Sequence, residues 1–378
     1  MKRRTFLGVA LATAAWGARA ADAVPSRTAD FDLLWRLVDE GYAYFDATSR
    51  ARWRRERERG RAQAARATSP GALAAALAAT LAELRDDHVS LSGAETLARR
   101  IPYDLDIWPR WDGGSATIEA VRTFGDADMA GLHPGQVITR VQGRSLEAAV
   151  RGLLGKGTAS VADIEWALRR VIAGPRAGVQ RLEVRESGRS AALDLERTPP
   201  TPPTTPAILA RRMGEERDIG YIRIRVGAAD SDLAAQLAAA LGHMPGSRAL
   251  IVDLRDTAGP GSPDFTKAVL ARFARAATPM AILVNRWTAG EGEALATRMA
   301  ALPGARAVGT PMAGLRGDLH EFELRSGLVL RFPGERSFTP DGRPREAFRP
   351  DVPVDLSAPS GGPGDPILYQ ALKLFERR

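Results

Sequence analysis

Apolar positions change their period along the chain. Phe31, Leu34, Trp35, Val38 and Tyr42 recur at steps of three and four, so the spacing predicts a helix between Phe31 and Phe45. A second helix is predicted from about Gly71 to Leu84, rich in Ala and Leu, with Thr68-Ser69-Pro70 as its start signal. Residues 21–100 thus read as a helical cap. From Ile101 to Arg197 the pattern turns to short β-type runs, Ala116 to Val121, Val137 to Val141 and Gln180 to Val184, separated by Gly and Asp. Thr198 to Pro206 reads Thr-Pro-Pro-Thr-Pro-Pro-Thr-Thr-Pro, an extended, semi-rigid linker.

Beyond the linker, strands alternate with helices. Strands are predicted at Ile219 to Val226, Ala249 to Leu254, Met280 to Val284 and Ala305 to Val308. Helices are predicted at Leu233 to Leu241, Phe265 to Ala274 and Gly292 to Leu302. That alternation predicts a mostly parallel sheet with helices packed on it, so residues 207–378 form an α/β domain. Ligand sites in such sheets lie at the carboxyl ends of the strands, which singles out Asp253 to Gly261 and Asn285 to Gly292.

Composition adds a compartment. Met1-Lys2-Arg3-Arg4, an apolar run from Phe6 to Trp16 and Ala18-Arg19-Ala20-Ala21 make the charged, apolar and small-x-small parts of an export signal. The run is too short for a stable membrane anchor. Lys2-Arg3-Arg4-Thr5-Phe6-Leu7 also has a twin-arginine look, and the general secretory route stays open. The expectation is a periplasmic or secreted protein. Cleavage after Ala20 removes four basic residues, so the formal charge of +8 drops to about +4. The densest basic run, Arg50 to Arg61, is interrupted by Glu56 and Glu58 and fits a solvated helix face. No concentrated basic stripe argues for nucleic acid. No second apolar run is long enough to span a membrane.

With no cysteine, the fold uses neither disulfides nor thiolate-bound metal. No His-Glu-x-x-His is present, and no metal or cofactor is expected. Gly155-Lys156-Gly157-Thr158 lacks the upstream Gly and the Lys-Ser/Thr step of a phosphate loop and reads as a turn.

Two sets of residues carry a resemblance. The run from Asp128 to Gly143, with Gly131-Leu132-His133-Pro134-Gly135 before an alternating strand, resembles the second half of a PDZ domain. An ordinary β-hairpin is the competing reading. The ordered series Gly220-Tyr221-Ile222-Arg223-Ile224, Ile251 to Gly261, Leu283 to Glu293 and Val308 to Gly314 resembles the core of the tail-specific, C-terminal-processing serine proteases, including their tricorn-core-like branch. The resemblance covers the PDZ-like segment and nearly all of Ile219 to Leu356. It implies a peptide or unfolded-protein substrate held by strand addition.

Carried over position by position, it also implies a site. Gly259 and Gly261 match the loop whose N–H groups hold the oxyanion, where a plain β-to-α turn would also favour Gly. The nucleophilic serine falls on Gly290, and the lysine of the processing branch falls on Leu315. The histidine of the tricorn-like branch falls on His88, and its late glutamate on Glu346. The implied base and orienter are therefore kept, whereas Gly290 has no side chain to attack a carbonyl. Three substitutes are conceivable. Thr288 lies two residues away, Ser262 closes the Gly-rich loop, and His88 with Glu346 can activate water directly. The alternative is a pseudoprotease that binds chain ends or partner proteins without cutting them.

Overall fold

A computed structural model describes residues 27–94, 99–198, 206–225, 232–257, 263–274, 278–358 and 364–376. The expected export signal, the Gly259–Gly261 loop with Ser262, and most of the proline-rich linker lie outside the described residues.

The chain opens with α1 (Arg27–Gly41), α2 (Ala47–Arg66) and α3 (Pro70–Leu81), followed by a 3-10 turn at Ala82–Leu84. Start signals act as their chemistry dictates. The Asp46 carboxylate accepts from Ser49 N at 2.7 Å and Ser49 Oγ accepts from Asp46 N, a reciprocal cap on α2. Ser69 caps α3, with Pro70 in the first turn, where a missing N–H costs nothing. Trp53 of α2 stacks on Trp35 of α1 with centroids 4.1 Å apart. The short strand β1 (Ser90–Leu91) then leaves the helices.

Next comes an antiparallel module of β2 (Ile107–Asp112), β3 (Ser115–Val121), the single-turn α4 (Asp126–Met129), β4 (Val137–Val141), β5 (Arg144–Ser145), α5 (Leu146–Leu154), α6 (Val161–Ala173), β6 (Gly178–Glu186) and β7 (Arg189–Arg197). Its sheet runs β2-β3-β4-β6-β7, with β5 paired to β4. Inward residues alternate along β3, and Ile107, Ile118, Ile138, Leu168, Ile172 and Leu182 build one core.

The α/β domain comprises β8 (Ile208–Met213), β9 (Ile219–Ile224), α7 (Leu233–Gly242), β10 (Ala249–Asp253), α8 (Pro263–Phe273), β11 (Met280–Val284), α9 (Glu291–Ala300), β12 (Ala305–Gly309), β13 (Asp318–Glu323), β14 (Val329–Glu335), β15 (Val352–Pro353) and α10 (Pro366–Lys373). Its sheet runs β15-β12-β11-β10-β9-β8, parallel except for the antiparallel edge β8. Every residue of β10 and β11 is buried, as expected of strands covered on both faces. The carboxyl ends of β10, β11 and β12 deliver the 254–257, 285–290 and 310–317 segments to one end of the sheet.

The expected parallel-rich α/β domain, helical cap and β module are all present. Two features were not predicted. Helices α5 and α6 occupy the middle of the β module. A three-stranded sheet, β1-β14-β13, ties the cap to the far end of the chain, and Leu324, Leu330 and Phe332 join the core of α1–α3.

Candidate active site

The site begins where β11 ends. Asn285 Oδ1 accepts from Trp287 N at 3.0 Å and from Asp256 N at 3.3 Å, tying the turn after β11 to the turn after β10. The chain then reverses through Gly290 into α9. Gly290 is buried with φ 58° and ψ −118°, a sharp strand-to-helix elbow that few side-chain-bearing residues adopt without strain. This is the backbone that a nucleophile elbow uses to lift its side chain out of the sheet. Here a glycine takes that shape, with no side chain to lift. Gly292, two residues on in the first turn of α9, is required by contact. A Cβ there would lie 2.4 Å from the Thr257 carbonyl oxygen.

Thr288 is fully buried. Its Oγ1 donates to Leu254 O at 3.0 Å and accepts from Asn285 N at 3.0 Å. Its one proton is therefore committed inside the turn, and its hydroxyl is a structural brace. Ser262 and the two glycines of the implied oxyanion loop lie outside the described residues.

His88 is buried just ahead of β1. Its backbone N donates to Asp86 Oδ1 at 2.9 Å. Its Nδ1 lies 2.5 Å from Arg316 O. A carbonyl only accepts, so Nδ1 carries the proton and Nε2 keeps its lone pair. Burial pulls the imidazole pKa below its ordinary value, opposed by the Arg316 carbonyl and the Asp86 charge, so the ring is neutral near pH 7. A neutral histidine with Nε2 unprotonated is a competent general base. Asp86 is fixed in turn by the Tyr42 hydroxyl at 2.6 Å.

The implied orienter, Glu346, is placed differently from Arg316 O. It stands on a 3-10 turn at Arg345–Ala347, and its Oε2 is buried without a hydrogen-bond partner among the described residues. The hydrogen-bond partner of His88 Nδ1 is Arg316 O. Glu346 lies near Tyr44, whose phenol is raised by burial and then by the Glu346 charge. Leu315, the position of the processing-branch lysine, is an apolar buried side chain.

A residue without an assigned role in the sequence joins these pieces. Glu293, in the first turn of α9, is fully buried. Its Oε2 accepts from Gly290 N at 3.0 Å and Leu315 N at 3.3 Å, and its Oε1 accepts from Gly314 N at 2.8 Å. Burial raises its pKa to about 7, against the pull of Arg345 and the three N–H groups. The sequence places Glu293 three residues after Gly290, the spacing of a capping box, and that was the available signal.

The β module closes the third side. Trp287 Nε1 donates to Leu105 O at 2.6 Å, and its ring meets Trp108 edge-on. Arg286 pairs with Glu119 at 2.6 Å and lies over Trp108. Arg169 of α6 covers Trp108 as well and holds Asp87, the neighbour of His88, at 2.7 Å. One aromatic-cation stack thus links the 86–88 segment to the 285–290 segment. A cleft of about 320 Å³ beside it is lined by Glu119, Arg286, Pro311 and Leu356 among others.

Comparison with known proteins bears on the fold. The model of Peptidase family S41 matches residues 260–354. No curated protein matches the chain. Among solved structures, the photosystem II D1 C-terminal processing protease is 18% identical, with 88% of this chain and 94% of that chain covered and a TM-score of 0.51. A lipoprotein from Streptococcus agalactiae is 13% identical over 97% and 98% of the two chains, with a TM-score of 0.52. Mature CPAF complexed with lactacystin is 14% identical over 93% and 96%, with a TM-score of 0.51. These likenesses show a shared fold across nearly the whole chain. Gly290, Glu293, Gly314, Leu315 and Glu346 all fall inside the stretch of the α/β domain that is similar to Peptidase family S41.

Proposed function

We propose that the protein is an exported, peptidase-like protein that holds extended peptide or unfolded protein chains in a tail-specific protease cleft without forming an acyl-enzyme. The observation that carries this reading is Gly290, which keeps the backbone of an elbow and has no atom to attack with. The burial of Thr288 supports it, because the nearest hydroxyl is internal to the turn. Residues 101–197 act as a PDZ-like module that presents chain ends to the cleft, supported by the run from Asp128 to Gly143 and the Trp108–Trp287 contact. Export to the periplasm or beyond rests on the N-terminal sequence alone.

A second reading has one specific support. His88 is buried, neutral and correctly protonated for base catalysis, although no serine is present for it to serve. In that reading Nε2 takes a proton from water, the hydroxide oxygen bonds to the substrate carbonyl carbon, and the amine departs with the proton.

Incubating the protein without residues 1–20 with fluorescent unfolded casein separates the two. The proposal predicts saturable binding by anisotropy with no new fragments. Fragment release that disappears in His88→Ala would replace it with the hydrolytic reading. Neither binding nor release would refute both.

A further inference from the structure

Glu293 forms no ion pair within 4 Å among the described residues, and Arg345 acts on it only from beyond that distance. Asp253, by contrast, is paired with Arg255, and Asp106 with Arg197. A buried carboxyl group whose direct partners are main-chain N–H groups is costly. Its three contacts reveal what it does. Gly290 N belongs to the elbow, while Gly314 N and Leu315 N belong to the turn after β12. Gly314 has φ 74°, and that left-handed turn aims two successive N–H groups at one carboxyl group. The next carbonyl, Arg316 O, points to His88 Nδ1. The path from position 290 to the imidazole is therefore Gly290 N, Glu293, Leu315 N, Arg316 O and His88.

We propose that Glu293 is the positioning residue of this site, holding the elbow and the 314–316 turn at a fixed separation and so orienting the His88 ring. Its catalytic consequence rests on the reading that position 290 and His88 form one centre, whereas the orientation of His88 does not. Glu291, on the same helical turn, is a built-in control, because its carboxylate faces Thr266 instead. Glu293→Gln puts an NH2 where one acceptor oxygen stood. That group meets either Gly314 N–H or the N–H pair of Gly290 and Leu315, donor against donor, and the turn is pushed away.

The test is 15N NMR of the four histidines, with His88→Ala to assign the site. In the unmodified protein, His88 should show a single Nδ1–H tautomer. Glu293→Gln should give mixed tautomers or exchange broadening, and Glu291→Gln should change nothing. A folded Glu293→Gln protein whose His88 signals superimpose on those of the unmodified protein would overturn the proposal. If Glu293→Gln does not fold, amide exchange in the unmodified protein decides. Gly290, Gly314 and Leu315 share one acceptor group, so their amides should open together, and three independent opening rates would overturn it.

A second readout uses a Gly290→Ser background. There Glu293→Gln should lower kcat about 100-fold with KM within about twofold, the effect of misplacing a base by about 1 Å. An inactive Gly290→Ser protein with a perturbed His88 spectrum in Glu293→Gln defeats the protease-site reading and leaves this proposal standing. Active Gly290→Ser with an unperturbed spectrum does the reverse.

Discussion

Gly292→Ala should weaken the site's scaffold, although alanine is the better helix former. The added Cβ would lie 2.4 Å from the Thr257 carbonyl oxygen, 3.0 Å from its Cγ2 and 3.2 Å from its Cβ. An ordinary carbon-oxygen contact is about 3.4 Å, so the 254–257 segment must retreat by about 1 Å. That segment is not free to do so. Thr257 O accepts from Ala289 N at 2.9 Å, and Thr257 Oγ1 donates to Ile224 O at 2.5 Å. A retreat of that size stretches the Ala289 bond past hydrogen-bonding distance, worth about 1 kcal/mol. Overpacking adds about 1–3 kcal/mol. Replacing glycine inside a helix returns at most about 1 kcal/mol. The net expectation is destabilisation by about 1–3 kcal/mol, concentrated at the elbow. Amide exchange resolved at Ala289, together with a thermal melt, measures it. An unchanged melt with Ala289 still fully protected would refute the reasoning, because it would mean that the loop after β10 is not held against α9.

Three further outcomes are expected. Trp287→Phe leaves the buried Leu105 carbonyl without its donor and should cost about 1–3 kcal/mol, read in the melt of the β module. Arg255→Ala removes the cation that covers Asp253, which is fully buried and otherwise held by the Tyr221 hydroxyl and the main-chain N–H of residue 255. It should cost about 3–5 kcal/mol by chemical unfolding. Stability should also titrate in opposite senses at the two buried groups. Glu293 is raised from 4.5 to about 7, so its contribution is full below pH 4.5 and is lost as pH rises through 7, by about 3 kcal/mol. His88 is lowered from 6.5, so its contribution is full above pH 6.5 and is lost as pH falls towards the folded value. Whatever deficit the misplaced NH2 causes at pH 5, the stability of Glu293→Gln relative to the unmodified protein should therefore rise as pH goes from 5 to 8, and a pH-independent difference would contradict the burial of a titrating carboxyl group.

Much of this architecture is legible in the sequence because the α/β domain obeys local rules. β10 and β11 are short apolar runs bounded by turns, and their loops fall where a parallel sheet places ligands. Gly290 is also readable, since the motif around it is contiguous. Helices α5 and α6 had a signal that short β-type runs on either side obscured. Ser145 and Ser160 both cap, and Ser160 forms a reciprocal pair with Asp163 three residues on. The β1-β14-β13 sheet had none, because it joins residues about 240 apart and β1 is two residues long. The same non-locality hides the site's electrostatics. The capping-box spacing marks Glu293 as a partner of Gly290 N, but nothing local says that it is buried or that it also holds Gly314 N and Leu315 N. Nor does any sequence pattern assign the His88 ring to the Arg316 carbonyl rather than to Glu346. Both depend on how the 310–317 segment crosses between domains.

The central proposal is that a protease-like scaffold surrounds a missing nucleophile, and Gly290→Ser tests it most directly. In that variant the new hydroxyl passes its proton to His88 Nε2 as its oxygen bonds to the substrate carbonyl carbon. The departing amine then takes the proton, and water releases the acyl group. The measurement is fragment release from unfolded casein by the unmodified protein, by Gly290→Ser, and by Gly290→Ser combined with His88→Ala. The account predicts fragments from Gly290→Ser alone. A folded Gly290→Ser protein that binds casein and releases nothing would contradict the placement of the site.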